Sequence, residues 1–282
     1  MQVLKITLYG EQAHYHVPFT SNNKMTYPLP PYSTVMGLLA NILGERCSEL
    51  FKEDFGLAVV GKSQGYSDEY TWYRNLSESA HLGRFAETDR RDRDGFVEQP
   101  GGQVPVLISV LNDVETNIYL YHNEQVLDSL LTNIEKPEKW FNHLHLGRAE
   151  DWVVPVSYEI INLQSSETLS DVSWTSADNF RSWLPDPDNL MKCDGHDIAD
   201  YQAMFEKIKS TRMLITSTYE LVEVDYKGRE RKWSNKIRNF NHIPVKILNG
   251  QIPLVNIWDV PRSLVDSKMK YPVYLAKIDK LG

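Results

Sequence analysis

Three stretches of this sequence carry side chains with chemistry to offer. The first is residues 27–44, YPLPPYSTVMGLLANILG, where three prolines deliver the chain to Tyr32, Ser33 and Thr34. Proline fixes φ and keeps a helix from running back through it, so the pattern predicts a helix over 33–43, with Ser33 as N-cap and Gly44 at the C′ position. The N–H groups at such a start, together with the three hydroxyls, form a natural seat for a phosphate. The same pattern also describes an ordinary proline-led, serine-capped turn. Gly37 weakens the helix from within, which points to close packing or to the close approach of a ligand.

The second stretch is LHLGRAED at 144–151. Gly147 permits a tight backbone turn that a nucleic acid can approach, with Arg148 on a phosphate. It also fits an ordinary glycine ending a helix, and the two readings are compatible. His143 and His145 flank the turn and could stack on a base or hydrogen-bond to it; they equally suit local packing. The third stretch, KGRERKWSNKIR at 227–238, sets Lys227, Arg229, Arg231, Lys232, Lys236 and Arg238 against Glu230 alone, with Trp233 in the middle. Cations interleaved with an aromatic suit phosphate pairing and base stacking. A hairpin whose edge is guarded by Lys and Arg reads the same way.

Between 75 and 104 the regular pattern dissolves into a polar excursion of roughly 30 residues, longer than an ordinary connection. It holds Arg84, Arg90, Arg91 and Arg93 against Glu87, Asp89, Asp92 and Asp94, with Phe85 and Phe96 available for stacking. A salt-bridged, solvated loop and an RNA-gripping projection are both consistent with that content. Metal chemistry finds little support. CDGH supplies Cys193 and His196 as half a zinc site without a second half, and GHD at 195–197 is an isolated His-Asp pair. There is no phosphate-binding P-loop, nucleophile elbow or dinucleotide fingerprint, so neither cofactor nor metal is expected.

The elements that must position these groups can be traced along the chain. VLKITLYG puts Leu4, Ile6 and Leu8 on one face of a strand, with Lys5 and Thr7 on the other. After the helix at 33–43, a second short helix is expected over 45–55 and strands at 57–61 and 69–76. Beyond the excursion, VPVLISVL and TNIYLYH read as two strands that could form one hairpin. NEQVLDSLLTNI reads as a helix capped by Asn123, with Val126, Leu127, Leu130, Leu131 and Ile134 facing inward. The order to residue 160 is βαββαβ, an α+β fold of ferredoxin-like or RRM-like type. Residues 164–200 are rich in Ser, Asp and Pro, and strands return at 213–225, 243–248, 252–258 and 271–278. Two regions are therefore expected: 1–160, with its insertion at about 75–104, and a mostly β region at 161–282.

The 282 residues allow ample core, and the composition, 41% hydrophobic and 24% charged, is globular. Two distant cysteines make no disulfide framework, residues 1–10 read as a strand, and no apolar run approaches a span of about 20 residues. A cytoplasmic protein with no membrane association is expected. The net charge of −8 argues against a free-standing nucleic-acid binder and for local basic patches, or for a subunit among several.

YPLPPYSTVMGLLANILG after a single N-terminal strand resembles the signature of the Cas-five family of CRISPR-associated proteins, and LHLGRAED is similar to that family's Leu-Gly-Arg segment with its nearby acidic residue. The resemblance covers roughly the first 160 residues well and the rest loosely. It implies a non-catalytic RNA-binding subunit of a type I Cascade surveillance complex, whose ferredoxin-like domain grips the 5′ handle of the CRISPR RNA. It also implies a β-hairpin thumb inserted before the third strand, contact with the backbone subunit, and a large PAM-reading subunit and target DNA nearby. On this resemblance, the RNA-binding residues are Tyr32, Ser33, Thr34, Arg84, Phe85, Arg90, Arg91, Arg93, His145, Gly147, Arg148, Lys232, Trp233, Lys236 and Arg238. One branch of the family cuts precursor guide RNA without a metal, using a Tyr and an adjacent Lys-His pair. That dipeptide is absent here, although His14, His16, His143, His145 and tyrosines leave a metal-independent endoribonuclease as the alternative.

Overall fold

A computed structural model describes residues 1–18, 20, 23–75, 102–166, 180–193, 197–223, 236–249 and 262–281. Its frame is a large, almost wholly antiparallel sheet. The first strand, β1 (Gln2–Ala13), alternates as expected and sends Leu4, Ile6 and Leu8 into the main core. It pairs with β5 (Gly102–Tyr121) on one side and β6 (Val154–Asn162) on the other, while β5 pairs onward to β3 (Phe55–Lys62). Helix α1 (Tyr32–Leu43) lies in sequence between β1 and β3, and α2 (Glu124–Asn133) between β5 and β6. Asn123 caps α2 as expected, its Oδ1 accepting from the Val126 N–H at 2.9 Å. Both helices bury their apolar stripes against the same sheet face: Val35, Leu39 and Ile42 from one, Val126 and Leu130 from the other.

Several expectations need correction. The short helix expected over 45–55 is a 3-10 helix, Gly44–Phe51, and it stops short of Phe55, where β3 begins. The two strands expected over 104–122 are one strand of 20 residues, β5. Its first half pairs with β4 (Gly65–Asn75), and its second half with β1 and β3. Asp113 sits between the halves at φ 49°, a local kink that lets one strand serve two partners. The β4–β5 ribbon extends the sheet where the insertion was expected, and residues 76–101, with Arg84, Phe85, Arg90, Arg91 and Arg93, lie outside the described residues.

Past residue 160 the sheet continues. Strand β8 (Arg181–Pro185) joins β3, and β10 (Lys236–Asn249) and β9 (Arg212–Glu223) follow outward. Strand β13 (Ala276–Ile278) also pairs with β3. The second face of β1, expected to be polar, is instead covered by the C-terminal segment. Lys5 is buried there with Nζ 2.5 Å from Asp266, whose carboxylate also accepts from the Tyr119 hydroxyl at 2.9 Å and from the N–H groups of Lys268 and Met269. Helix α3 (Ile198–Lys207), capped by Asp197, stands in a stretch read as irregular. The strand expected at 252–258 lies outside the described residues. Among the described residues no helix is long and apolar enough to cross a membrane.

Candidate nucleic-acid interface

The head of α1 is built differently from its sequence. The helix begins at Tyr32, one residue early, and its N-cap is Pro31, whose carbonyl accepts the N–H groups of Thr34 and Val35 at 3.0 and 3.2 Å. Ser33 makes no capping bond. Its hydroxyl instead meets the Thr216 hydroxyl of β9 at 2.5 Å, tying the helix head to a strand 183 residues away. The prolines hold that approach in place: Leu29 is buried, and the Pro30 carbonyl accepts from the Trp183 indole N–H at 2.8 Å. Tyr32 cannot serve a phosphate. It is wholly buried, its hydroxyl has no hydrogen-bond partner among the described residues, and burial pushes its pKa well above the ordinary tyrosine value.

The Leu-Gly-Arg turn comes against the same helix. Asn41 pins it from one side, donating to the carbonyls of Asn142 (2.9 Å) and His143 (3.3 Å) and accepting from the Asn142 N–H (2.8 Å). Gly147 sits at φ 122°, where a Cβ would lie 2.7 Å from the Asp151 carboxylate and 2.8 Å from the His14 carbonyl. It is thus a turn glycine with two reasons to be glycine, strained backbone and lack of room. It ends no helix, because α2 stops at Asn133.

Arg148 departs most from expectation. It donates from Nη2 to Asp151 Oδ1 at 2.8 Å, from Nε to both Asp151 oxygens at 3.1 and 3.2 Å, and from Nη1 to Glu69 Oε2 at 2.7 Å. Burial works against its charge, but the Asp151 and Glu69 carboxylates more than compensate, so its pKa is raised. The fully buried Asp151 also accepts the N–H groups of His14 and Arg148. The guanidinium therefore fastens the turn to the β4–β5 ribbon through Glu69, while Asp151 ties it to His14 just past β1, rather than waiting for a phosphate. Asp151 closes the quoted LHLGRAED motif, and its role as the partner of Arg148 was not assigned from the sequence. Its signal was the arginine three residues before it, the spacing at which a turn folds a carboxylate back onto a guanidinium.

Between helix head and turn lies a cleft of about 260 Å³, lined by Ser33, Thr34, Gly37, Leu38, Asn41, His145 and Gly147. Residues from the two stretches singled out in the sequence thus converge, across about a hundred positions. A Cβ at Gly37 would touch nothing within 4 Å, so this glycine opens the cleft and does not relieve crowding. His145 Nδ1 is buried without a partner among the described residues. Beside the cleft, the His143 ring lies 5.4 Å from His145 and 5.7 Å from Trp152, an indole left 69% exposed and not marked by any sequence pattern.

From Thr216, β9 runs into a second feature. Beyond Thr218 both faces of the β9–β10 ribbon are exposed, with Tyr219, Leu221, Val222, Ile237 and Phe240 at the surface. Arg238, also exposed, stacks over the Tyr219 ring at 4.7 Å. Lys232 and Trp233 lie outside the described residues, and Lys236 is placed on β10 by its backbone alone. Tyr219 lies three positions past Thr216, roughly 10 Å along the strand, so cleft and ribbon are neighbours.

The chain is similar to known proteins. A family model described as CRISPR-associated protein (Cas_Cas5) matches residues 3–239, more than four-fifths of the chain. The chain belongs to this family, and the match extends well past residue 160. Among solved structures, it is similar to one described as a CRISPR RNA-guided surveillance complex, at 13% identity over 88% of this chain and 89% of that one, with a TM-score of 0.46. It is similar to another described as a Cas protein, at 14% identity over 93% and 98%, with a TM-score of 0.42. A CRISPR protein from Archaeoglobus fulgidus aligns at 11% identity over 99% and 100%, with a TM-score of 0.38. No curated protein matches the chain.

Proposed function

We infer that this chain is a guide-RNA-binding subunit of a type I CRISPR surveillance complex in the cytoplasm, with no catalysis of its own. The observation that carries the reading is the convergence, in a family member, of the proline-led helix head and the Leu-Gly-Arg turn on one cleft beside an exposed cation–aromatic ribbon. On this reading β6–β1–β5–β3, in the order fourth, first, third, second, is a ferredoxin-like sheet, and the β4–β5 ribbon is the stem of a thumb. The domain holds the 5′ handle of the CRISPR RNA. The ribbons face the backbone subunit and the large PAM-reading subunit, with target DNA nearby. A non-catalytic role draws support from four of the groups that could cut RNA. His14 Nδ1 and His143 Nε2 are each 2.8 Å from a backbone carbonyl, and Tyr15 and Tyr32 are buried.

The test is to express the tagged chain with its genomic neighbours and a repeat–spacer array, and to sequence the RNA that copurifies. Small RNAs sharing one repeat-derived 5′ end, and lost when 84–96 is deleted, are the expected result. Formation of that end by the isolated chain with precursor RNA in EDTA would establish the endoribonuclease alternative instead. Absence of RNA in the purified complex would defeat both.

A further inference from the structure

The cleft between helix head and turn has a chemistry of its own. Its seven lining residues are Ser, Thr, Gly, Leu, Asn, His and Gly, with no lysine or arginine among them. The nearest cation along the chain, Arg148, is committed to Asp151 and Glu69. The helix N–H groups of Thr34 and Val35 turn back to the Pro31 carbonyl. A phosphate needs charge or a fan of donors, and the cleft offers neither. What it offers is a narrow slot with bare backbone at Gly37, an apolar wall at Leu38, two hydroxyls, and a histidine with a buried ring nitrogen left unpaired among the described residues. About 260 Å³ falls just below the roughly 300–1,000 Å³ of pockets for drug-sized molecules, a size for one ring system and not for a run of nucleotides.

We propose that this cleft takes a single unstacked nucleobase of the bound RNA, flanked by Gly37 and Leu38 and read at its polar edge by His145 and the Ser33 and Thr34 hydroxyls. The proposal rests on the RNA-binding reading above and assigns the cleft to base readout, leaving phosphates to cations elsewhere. Single-stranded RNA is recognised in this way, by splaying bases out of the stack into pockets with hydrogen-bonding edges. The Ser33–Thr216 contact positions one of the reading hydroxyls and links the cleft to the ribbon bearing Arg238, so the base enters while its neighbours follow β9.

Gly37 makes the test clean. A Cβ there meets nothing within 4 Å and replaces a poor helix former, so Gly37→Leu projects into the cleft without straining the helix. The full chain, purified with its complex partners and freed of RNA, would be titrated with repeat-derived RNA oligonucleotides carrying one abasic nucleotide at each 5′-end position in turn. One position should weaken wild-type binding about tenfold. Gly37→Leu should bind the intact RNA about tenfold more weakly and lose its sensitivity to that position alone. Thr34→Val, which keeps the volume and removes a hydroxyl, should reduce discrimination among bases at the same position while preserving the preference for a base over none. If no abasic position matters, or if Gly37→Leu remains sensitive to the same one, the cleft does not hold a base, although the RNA-binding reading survives. If the wild type binds none of the oligonucleotides, both fall together.

Discussion

Arg148 and Arg238 were nominated from sequence for the same task, and the structure gives them opposite circumstances. Arg148 sits in a glycine turn with an aspartate three residues on, and its guanidinium is spent on Asp151 and Glu69. Arg238 stands on an exposed ribbon over the Tyr219 ring. A cation held by a buried carboxylate and a half-exposed one serves the fold, because drawing it away to a phosphate would leave the buried Asp151 unpaired in low dielectric. A cation on a solvated ribbon, resting on an aromatic face, keeps donors for a polyanion and already has a stacking platform beside it. The contrast divides the molecule into a rigid seat and a contact surface.

The largest expected effect falls on the seat. Asp151→Ala would leave Arg148 and two backbone N–H groups without their acceptor, and should cost about 3–5 kcal/mol in a denaturant titration. A loss below about 1 kcal/mol would dissolve the distinction between the two arginines.

Next comes the other buried pair. Burial raises the Asp266 pKa, but Lys5, the Met269 N–H and the Tyr119 hydroxyl outweigh it and hold the carboxyl below its ordinary value. A depressed folded pKa means that the pair's stabilisation is complete above the unfolded value of about 3.9 and is lost as pH falls through the folded one. Lys5→Met should therefore cost about 3 kcal/mol near neutrality. Its deficit relative to wild type should shrink as unfolding is measured from pH 5 toward 3. A deficit independent of pH would show that packing, not charge, holds β1 to the C-terminal segment.

A smaller change is expected at the helix head. Ser33→Ala removes one side-chain hydrogen bond to Thr216 and should lower stability by about 1 kcal/mol. If the hydroxyl acted as an N-cap instead, Thr216→Val would leave stability untouched.

The ribbon should show almost nothing in stability and a clear effect in binding. Arg238→Ala ought to stay within about 0.5 kcal/mol of wild type in unfolding. It should also reduce the salt dependence of RNA binding, by a slope of about 0.7 for one phosphate contact to a single strand. An unchanged salt slope would place Arg238 with Arg148 among the cations of the fold.

How much of this was legible beforehand varies by element. The strand at 2–13, the asparagine-capped α2 and the C′ glycine at Gly44 follow from period and capping chemistry, which are local. Helix α3 was hidden because Ser, Asp and Pro around it masked a stripe of Ile198, Tyr201, Met204 and Phe205 behind a plain aspartate cap. Tyr32 as a phosphate ligand and Ser33 as an N-cap were misread for another reason: burial of the one hydroxyl and the Thr216 partner of the other come from distant parts of the chain. Trp152 was passed over because exposure of an aromatic has no periodic signature.

The sequence by itself determined the residue types of the site, the stiff approach to the helix, the glycine turn and the family. Those properties are written in neighbours a few positions apart, where φ restrictions and side-chain hydrogen bonds act. Only the tertiary structure decided that Arg148 belongs to Asp151 and Glu69, that Ser33 belongs to Thr216, and that two stretches about a hundred residues apart enclose one uncharged cleft. Which donor meets which acceptor depends on burial and on long-range register, and an arginine or a serine looks the same in a sequence whether its partner comes from the protein or from a ligand.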